Sequence, residues 1–466
     1  MAGLGRRSTR LITSFASAAL LAIFALTPAY AQPDVQVSWV RNYTSGYNPD
    51  FASAYAVAVD LSGNVYVTGS SYASNGLADY TTIKYNSSGS TLWVQRYNGP
   101  GDSWDAATAL ILDASGNVYV TGESYGSEFF DYVTIKYTPA GTQQWVARYN
   151  GLGNTDDSPN ALAVDASGSV YVTGYSIGSG TFYDYATIKY NAAGTQEWVA
   201  RYNGPGNTKD RAADVAVDGA GNVYVTGDSG EGSPNLSDYV TVKYSSSGVQ
   251  QWAARYSNSY DYATALALDA VGNIYVTGYS YGSGTYYDYA TIKYNARGRQ
   301  RWVTRYNGGV SDDVAYAIGV DASSNVYVTG ESVGSGTGSD YGTVKYNAIG
   351  NQQWVARYNG PGNASDVAAA LAVDGSGDVY VTGESEGSGT VTDYATVKYD
   401  DTGVSQWVAR YNGPDNSFDH AADLAVDGSG NVYVTGTSSE TGGSIYTTIK
   451  YIQSASAASD RRRLSR

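Results

Sequence analysis

The run Ala106-Ala-Thr-Ala-Leu-Ile-Leu-Asp-Ala-Ser-Gly-Asn-Val-Tyr-Val-Thr-Gly122 decides the fold. Two β-type runs, A (Ala106–Leu112) and B (Asn117–Thr121), flank Asp113-Ala-Ser-Gly116. Asp first and Gly fourth is the chemistry of a type I turn closed by a left-handed residue, which joins antiparallel strands through a bulge. Further on, run C (Tyr132–Tyr137) and run D (Gln144–Tyr149) flank Thr138-Pro-Ala-Gly141, a turn of the same kind. The unit has no helical apolar period, so it reads as a four-stranded antiparallel meander.

The unit recurs. Val/Ile-Tyr-Val-Thr-Gly begins at 65, 118, 170, 223, 274, 326, 379 and 432, and Trp39, Trp93, Trp145, Trp198, Trp252, Trp302, Trp354 and Trp407 follow at intervals of 50–54. That period lies in the range of propeller blades. Small residues in run A suit a crowded axis, and the Trp, Arg and Tyr of run D suit a wide rim. The ends are out of phase: Val35–Tyr43 is a D run with nothing before it, and Ala421–Tyr451 carries A, B and C with no D after it. The sequence therefore predicts an all-β chain. It forms a single eight-bladed β-propeller over 35–451, built of four-stranded antiparallel blades, with the N-terminal strand completing the last blade.

Val59-Asp-Leu-Ser-Gly-Asn-Val-Tyr-Val-Thr-Gly69 resembles the signature V-D-x-x-G-N-V-Y-V-T-G of the bacterial β-propeller repeat known as the seven-bladed propeller repeat. The resemblance covers almost all of 35–451 and implies an exported propeller without specifying an activity. The count departs from it, eight rather than seven. Ser169 and Asp378 also replace the turn Asn, and Ser324 the turn Gly.

The flanks carry addresses rather than fold. Arg6, Arg7 and Arg10, an uncharged run Leu11–Leu26 and Thr27-Pro-Ala-Tyr-Ala31 read as a signal peptide over 1–31. The apolar run falls short of the ~20 residues that span a bilayer, so a secreted or periplasmic protein with no membrane span is expected. Residues 452–466, with Arg461-Arg462-Arg463, read as a disordered basic tail.

Composition narrows the chemistry. The 466 residues include no Cys and one His, with 43 acidic against 28 basic side chains and a net charge of −15. Disulfides, thiolate metal sites, Cys nucleophiles and multi-histidine centres are excluded. An acidic chain lacks the basic surface that nucleic acid requires. A monomer is expected.

Most charges belong to the repeat. Asp79, Asp131, Asp184, Asp238, Asp288, Asp340 and Asp393 each lie 17 residues before Arg96, Arg148, Arg201, Arg255, Arg305, Arg357 and Arg410. If Tyr85 pairs with Ser90, Asp79 faces Arg96 directly, and seven cross-strand ion pairs follow. Ile445 then stands opposite Arg41 in the last blade. A second series, Asp105, Asp157, Asp210, Asp261, Asp313, Asp366 and Asp419, is expected to ring one mouth of the channel. Calcium is one ligand for such a ring. The preferred reading is that each carboxylate caps its own inter-blade loop, with no cofactor.

Function is expected on the face bearing the B–C and D–A loops, where the repeat relaxes. Ligand-binding candidates there are Tyr125, Phe129, Phe130, Phe182, Tyr183, Tyr281, Tyr286 and Tyr287, with Tyr175 and Tyr279 nearby. Exposed rings of this kind suit sugars or protein partners, although Tyr183 and Tyr287 could instead pack beneath the loops. The sequence thus suggests a secreted, non-catalytic scaffold binding a protein or polysaccharide. One alternative is a quinoprotein-like oxidoreductase, because Asn191-Ala-Ala-Gly-Thr-Gln-Glu-Trp198 resembles the tryptophan-docking turn of such enzymes. The other is a carbohydrate-active enzyme using Glu123, Glu331 or Glu384. Their recurrence as Gly-Glu-Ser argues against a unique catalytic pair.

Overall fold

The computed structural model describes residues 35–453, apart from 48–49, 127, 179, 231–235, 283–285, 310 and 335. The expected leader and the tail beyond 453 lie outside these residues. Eight four-stranded antiparallel sheets form the blades. In blade 1 strands A to D are Ala52–Val59, Val65–Tyr72, Ala78–Tyr85 and Thr91–Tyr97. The A strands pack on one another around the ring and are therefore innermost. In blade 8, strands A (Asp419–Val426), B (Val432–Glu440) and C (Gly443–Gln453) are completed by Val35–Tyr43 as strand D. Pairing runs from Val35 opposite Gln453 to Tyr43 opposite Tyr446. The eight-bladed ring closes as its out-of-phase ends require.

The A–B turns have the expected chemistry. Gly63 donates to the Asp60 carbonyl at 2.9 Å, and the Asp60 carboxylate accepts the Ser62 and Asn64 amides, the Asn64 side chain and the Tyr66 hydroxyl. Ser324 adopts a φ of 61° where its counterparts are glycine, and its Oγ donates to Asp269 in the preceding turn at 3.1 Å. That bond offsets part of the cost of a left-handed non-glycine residue.

The blades are joined chiefly by tyrosine. Each strand C carries a buried Tyr whose hydroxyl donates to a strand-C carbonyl of the next blade. Tyr80 reaches Val133, Tyr132 reaches Ala186, and so on to Tyr394 and Thr447. Tyr446 closes the circle by donating to Thr81 at 3.2 Å. A second joint uses the C–D turn. Trp93 Nε1 and Lys84 Nζ both donate to the Pro139 carbonyl in the turn of blade 2, at 3.2 and 2.9 Å. The lysine also stands 4.8 Å over the Tyr66 ring. A Cβ on Gly141 would come within 2.8 Å of the Trp93 indole, so this turn must present glycine. Asn191–Trp198 spans one of these turns, with Gly194 lying against Trp145, so its tryptophan docking is an inter-blade contact.

Blade 8 has no C–D turn, because strand D comes from the other end of the chain. Gln453 substitutes: its Oε1 accepts Trp407 Nε1 at 3.2 Å and Lys398 Nζ at 2.9 Å. The last strand thus runs two residues past the expected end at 451, and those residues complete a joint.

All seven expected Asp–Arg pairs form, at 2.6–3.2 Å. Their register differs from expectation. Tyr85 pairs with Thr91, a bulge follows, and Arg96 stands opposite Thr81 rather than Asp79. The long arginine reaches Asp79 diagonally and also donates to Ser71. In blade 8 the arginine position is held by Asn42, opposite Thr447, so Arg41 is not the counterpart of Ile445. One residue earlier in a strand means the opposite face, and Arg41 donates instead to the Ser88 and Gly89 carbonyls of blade 1.

Tyr446→Phe removes one buried donor at the closing junction. It is expected to lower the unfolding free energy by about 1 kcal/mol, read as a lower urea midpoint at unchanged slope. An unaltered midpoint would deny the hydroxyl a part in closure.

Candidate functional site

The loop face is where the eight blades stop being alike. Its inner margin is set by the second residue of strand A and the sixth of strand B, which pair across the blade. These pairs are Ser53 with Ser70, Ala106 with Glu123, Ser158 with Tyr175, Arg211 with Asp228, Tyr262 with Tyr279, Val314 with Glu331, Val367 with Glu384, and His420 with Thr437. Identical backbone positions thus bring unlike chemistry to the channel mouth. Arg211 and Asp228 form an ion pair at 3.3 Å, and the Tyr316 hydroxyl donates to Glu331 at 2.9 Å. His420 of blade 8 bonds Glu384 of blade 7. That bond raises the imidazole above its ordinary value. Tyr262 and Tyr279 stack at 5.0 Å, and burial first, then nearby Tyr262 and Asp228, push Tyr279 up to about 12. The sequence treated Glu123, Glu331 and Glu384 as equivalent. Their neighbours make them different, and no local motif shows which neighbour the next blade supplies.

The candidate aromatics separate by blade. Tyr125 meets Phe130 edge-on at 5.2 Å in blade 2, and Tyr183 meets Tyr175 at 4.8 Å in blade 3. In blade 5, Tyr287 packs against Tyr279, Tyr281 and Tyr262. Tyr125, Phe130, Tyr183, Tyr281 and Tyr287 lie on strand ends, because strands B and C extend further than the runs implied. Phe129, Phe182 and Tyr286 stand in the loops proper and are exposed. Among the exposed or half-buried rings that were missed are Phe51, Tyr72, Trp104 and Phe418. Three of them end the D–A loops, and an aromatic just ahead of strand A was the available signal.

The second acidic series caps loops. Each carboxylate is fully buried and accepts one backbone amide from its own inter-blade loop, as Gly99 donates to Asp105 at 2.6 Å. Gly151, Gly204, Asn258, Gly308, Gly360 and Gly413 do the same for the other six, at 2.5–2.7 Å. Among the described residues no three His, Asp or Glu side chains gather in a metal-holding group, and no helix is long and apolar enough to cross a membrane. Two further acids stand on the innermost strands. Asp214 accepts the Leu266 amide of the next blade at 2.8 Å, and Asp423 accepts the Val57 amide at 2.9 Å. On the opposite face an 810 Å³ cavity lies between the A–B turns of blades 7 and 8, where Asp378 pairs with Lys398 at 2.8 Å.

These acids set a pH dependence. Burial pushes Asp157, Asp210 and Asp214 up to about 6 and Asp423 to about 7. It also raises Asp105, Asp261, Asp313, Asp366 and Asp419. A carboxyl raised by folding holds more protons in the folded state, so stability falls as pH climbs from the ordinary carboxyl value to the raised one. The raised His420 acts in the same sense, its contribution being lost as pH rises. In the turns, burial of Asp60 and its counterparts is outweighed by donated bonds, and their lowered values matter only below the ordinary range. The melting temperature is therefore expected to be higher at pH 5 than at pH 7.5. A flat or rising trend between them would contradict the burial of these acids.

Comparison with known proteins agrees with the fold. A β-propeller repeat model (SBBP) matches residues 50–76, 144–180, 197–232, 251–284 and 406–443. Sqt1 of Chaetomium thermophilum aligns over 91% of this chain and 99% of its own, at 9% identity and a TM-score of 0.55. A second structure of Sqt1 gives 0.53, over 91% and 100% at 9% identity. At such identity the likeness is one of fold alone. No curated protein matches the sequence. The β-propeller repeat is thus matched at five separate places along the ring.

Proposed function

We propose that this protein is an exported, non-catalytic scaffold that binds a protein or polysaccharide on its B–C/D–A loop face. One observation carries the reading. Beyond the leader the chain has five phenylalanines, Phe51, Phe129, Phe130, Phe182 and Phe418, and one tryptophan outside the repeat series, Trp104. All six lie on this face. Phe51, Phe129, Phe182, Phe418 and Trp104 are 44%, 38%, 58%, 54% and 37% exposed. The core takes its aromatics as Tyr and Trp at repeat positions, so these rings hold no place in the repeated joints between blades. Apolar rings on a rigid rim are what ligand contact requires. On the opposite face, exposed Leu61, Val271 and Ile349 stand singly at turns.

Export rests on the leader. Produced with its full N-terminus in a secreting bacterium, the protein is expected to begin at Gln32, as read by mass spectrometry; an intact Met1 would remove this part of the proposal. Binding is tested by replacing Phe51, Phe129, Phe182 and Phe418 together with Ser, against a Leu61→Ser and Val271→Ser control. Capture of envelope proteins and of arrayed glycans is expected to fall at least tenfold in the first variant and to persist in the control. Loss in the control alone would place the ligand on the wrong face.

A further inference from the structure

The loop face over blades 1 and 2 has a feature absent from the other aromatic groups: its rings touch across a blade boundary. Tyr72 ends strand B of blade 1. It packs against Phe51 of the same blade, with centroids 5.0 Å apart, and meets Trp104 edge-on at 6.3 Å. Trp104 belongs to the loop entering blade 2. Tyr125–Phe130, Tyr175–Tyr183, Phe418–His420 and the blade-5 tyrosines each stay within one blade. Half-buried Tyr72 thus wedges two exposed rings in place, and rings already fixed lose little freedom when a ligand arrives.

Polar groups flank the rings. Asp102, two residues before Trp104, accepts Asn98 Nδ2 at 2.7 Å and Asn75 Nδ2, from the B–C loop of blade 1, at 3.1 Å. In four other loops the residue in this place is Asn154, Asn207, Asn363 or Asn416, each accepting from an asparagine four residues earlier. Only this one of the five is a carboxylate. It shares the left-handed backbone of the others, with a φ of 44°, so the change costs the loop no new geometry. Ring faces beside amide and carboxylate oxygens match the two sides of a sugar, its C–H face and its hydroxyls.

Charge selects among glycans. In blades 1, 2 and 8 every Lys or Arg except Arg41 is a repeat residue, Arg96 and Arg148 are already paired with Asp79 and Asp131, and His420 of blade 8 is held by Glu384 of blade 7. Arg41 is held on the C–D turn carbonyls. Nothing cationic is left near Trp104 to meet a uronate or sulfate, and Asp102 would repel one.

We infer that Phe51, Tyr72 and Trp104 form a stacking track for consecutive units of a neutral, linear polysaccharide, with Asp102 and Asn75 taking its hydroxyls. The track rests on the binding role proposed above and names the ligand class. Affinity electrophoresis of the mature protein in soluble β-glucan, galactomannan and alginate tests it. Retardation is expected in a neutral gel and not in alginate. Phe51→Ala and Trp104→Ala should each weaken it about tenfold, the loss of one anchoring ring. Trp104→Tyr, which keeps a ring, should retain most of it, Phe182→Ala on blade 3 should weaken it less than either alanine variant, and Val271→Ser on the opposite face should leave it unchanged. Melting curves establish that each variant is folded. Full affinity in Phe51→Ala and Trp104→Ala, retardation by alginate alone, or none in any gel would overturn the track. If Phe182→Ala abolishes glycan binding, or an envelope protein binds through the exposed phenylalanines instead, the track falls while the binding role of the face stands.

Discussion

The structure depends on one hydroxyl per blade. A buried strand-C tyrosine fills the space between two sheets and spends its polar end on a carbonyl of the next blade, eight times including the closing step from Tyr446 to Thr81. Phenylalanine would fill the same volume and forgo the bond between blades, a loss of about 1 kcal/mol at each joint. A ring of eight such joints explains a composition of 46 Tyr and 7 Phe. It also explains why the few phenylalanines are found elsewhere. Where the joint between blades requires a hydroxyl at the tip of a ring, a ring without one is free to serve on the surface.

Closure brings the second constraint. Any ring built from one chain must break somewhere, and here the break falls between strands C and D of blade 8. The break removes a turn, and with it the carbonyl that elsewhere accepts a tryptophan and a lysine from the preceding blade. Gln453 restores the acceptor from a side chain. Its Nε2 donates to the Gly430 carbonyl at 2.5 Å, which fixes the amide orientation needed for acceptance. Asp423 does comparable work on the inner strand at the next junction, accepting the Val57 amide of blade 1. The price is a buried acid whose ionisation opposes folding near neutral pH.

How much of this could be read from residues alone varies with the distance over which the cause acts. Period, turn type and out-of-phase ends are local or repetitive, and they lead directly to eight blades. The seven Asp–Arg pairs were legible because seven copies of one spacing leave little room for accident. Their register was not, because a bulge at Leu92, between the Tyr85–Thr91 and Lys84–Trp93 pairs, shifts the pairing without leaving a mark in composition. Arg41 was misassigned for a related reason: a W-x-R-N-Y end looks like its W-x-x-R-Y neighbours until strand alternation separates the faces. The channel mouth was the largest omission. His420 meets Glu384 only because adjacent blades place strand A of one beside strand B of the other, a relation across 36 residues that no motif records.

Symmetry then separates scaffold from function. Every side chain that joins blades must suit both of its neighbours, so a change at one joint is paid for at the next, and these positions stay uniform around the ring. Most residues on the loop face take no part in the repeated joints. Arg211, Glu331 and Phe182 can differ from their counterparts without disturbing a joint, and the departures accumulate on that face. A track such as Phe51, Tyr72 and Trp104 goes one step further, since it spans a boundary on the one side where the boundary does not have to be uniform. Rigid joints beneath hold two blades in fixed relation, and that fixity turns three separate rings into one surface.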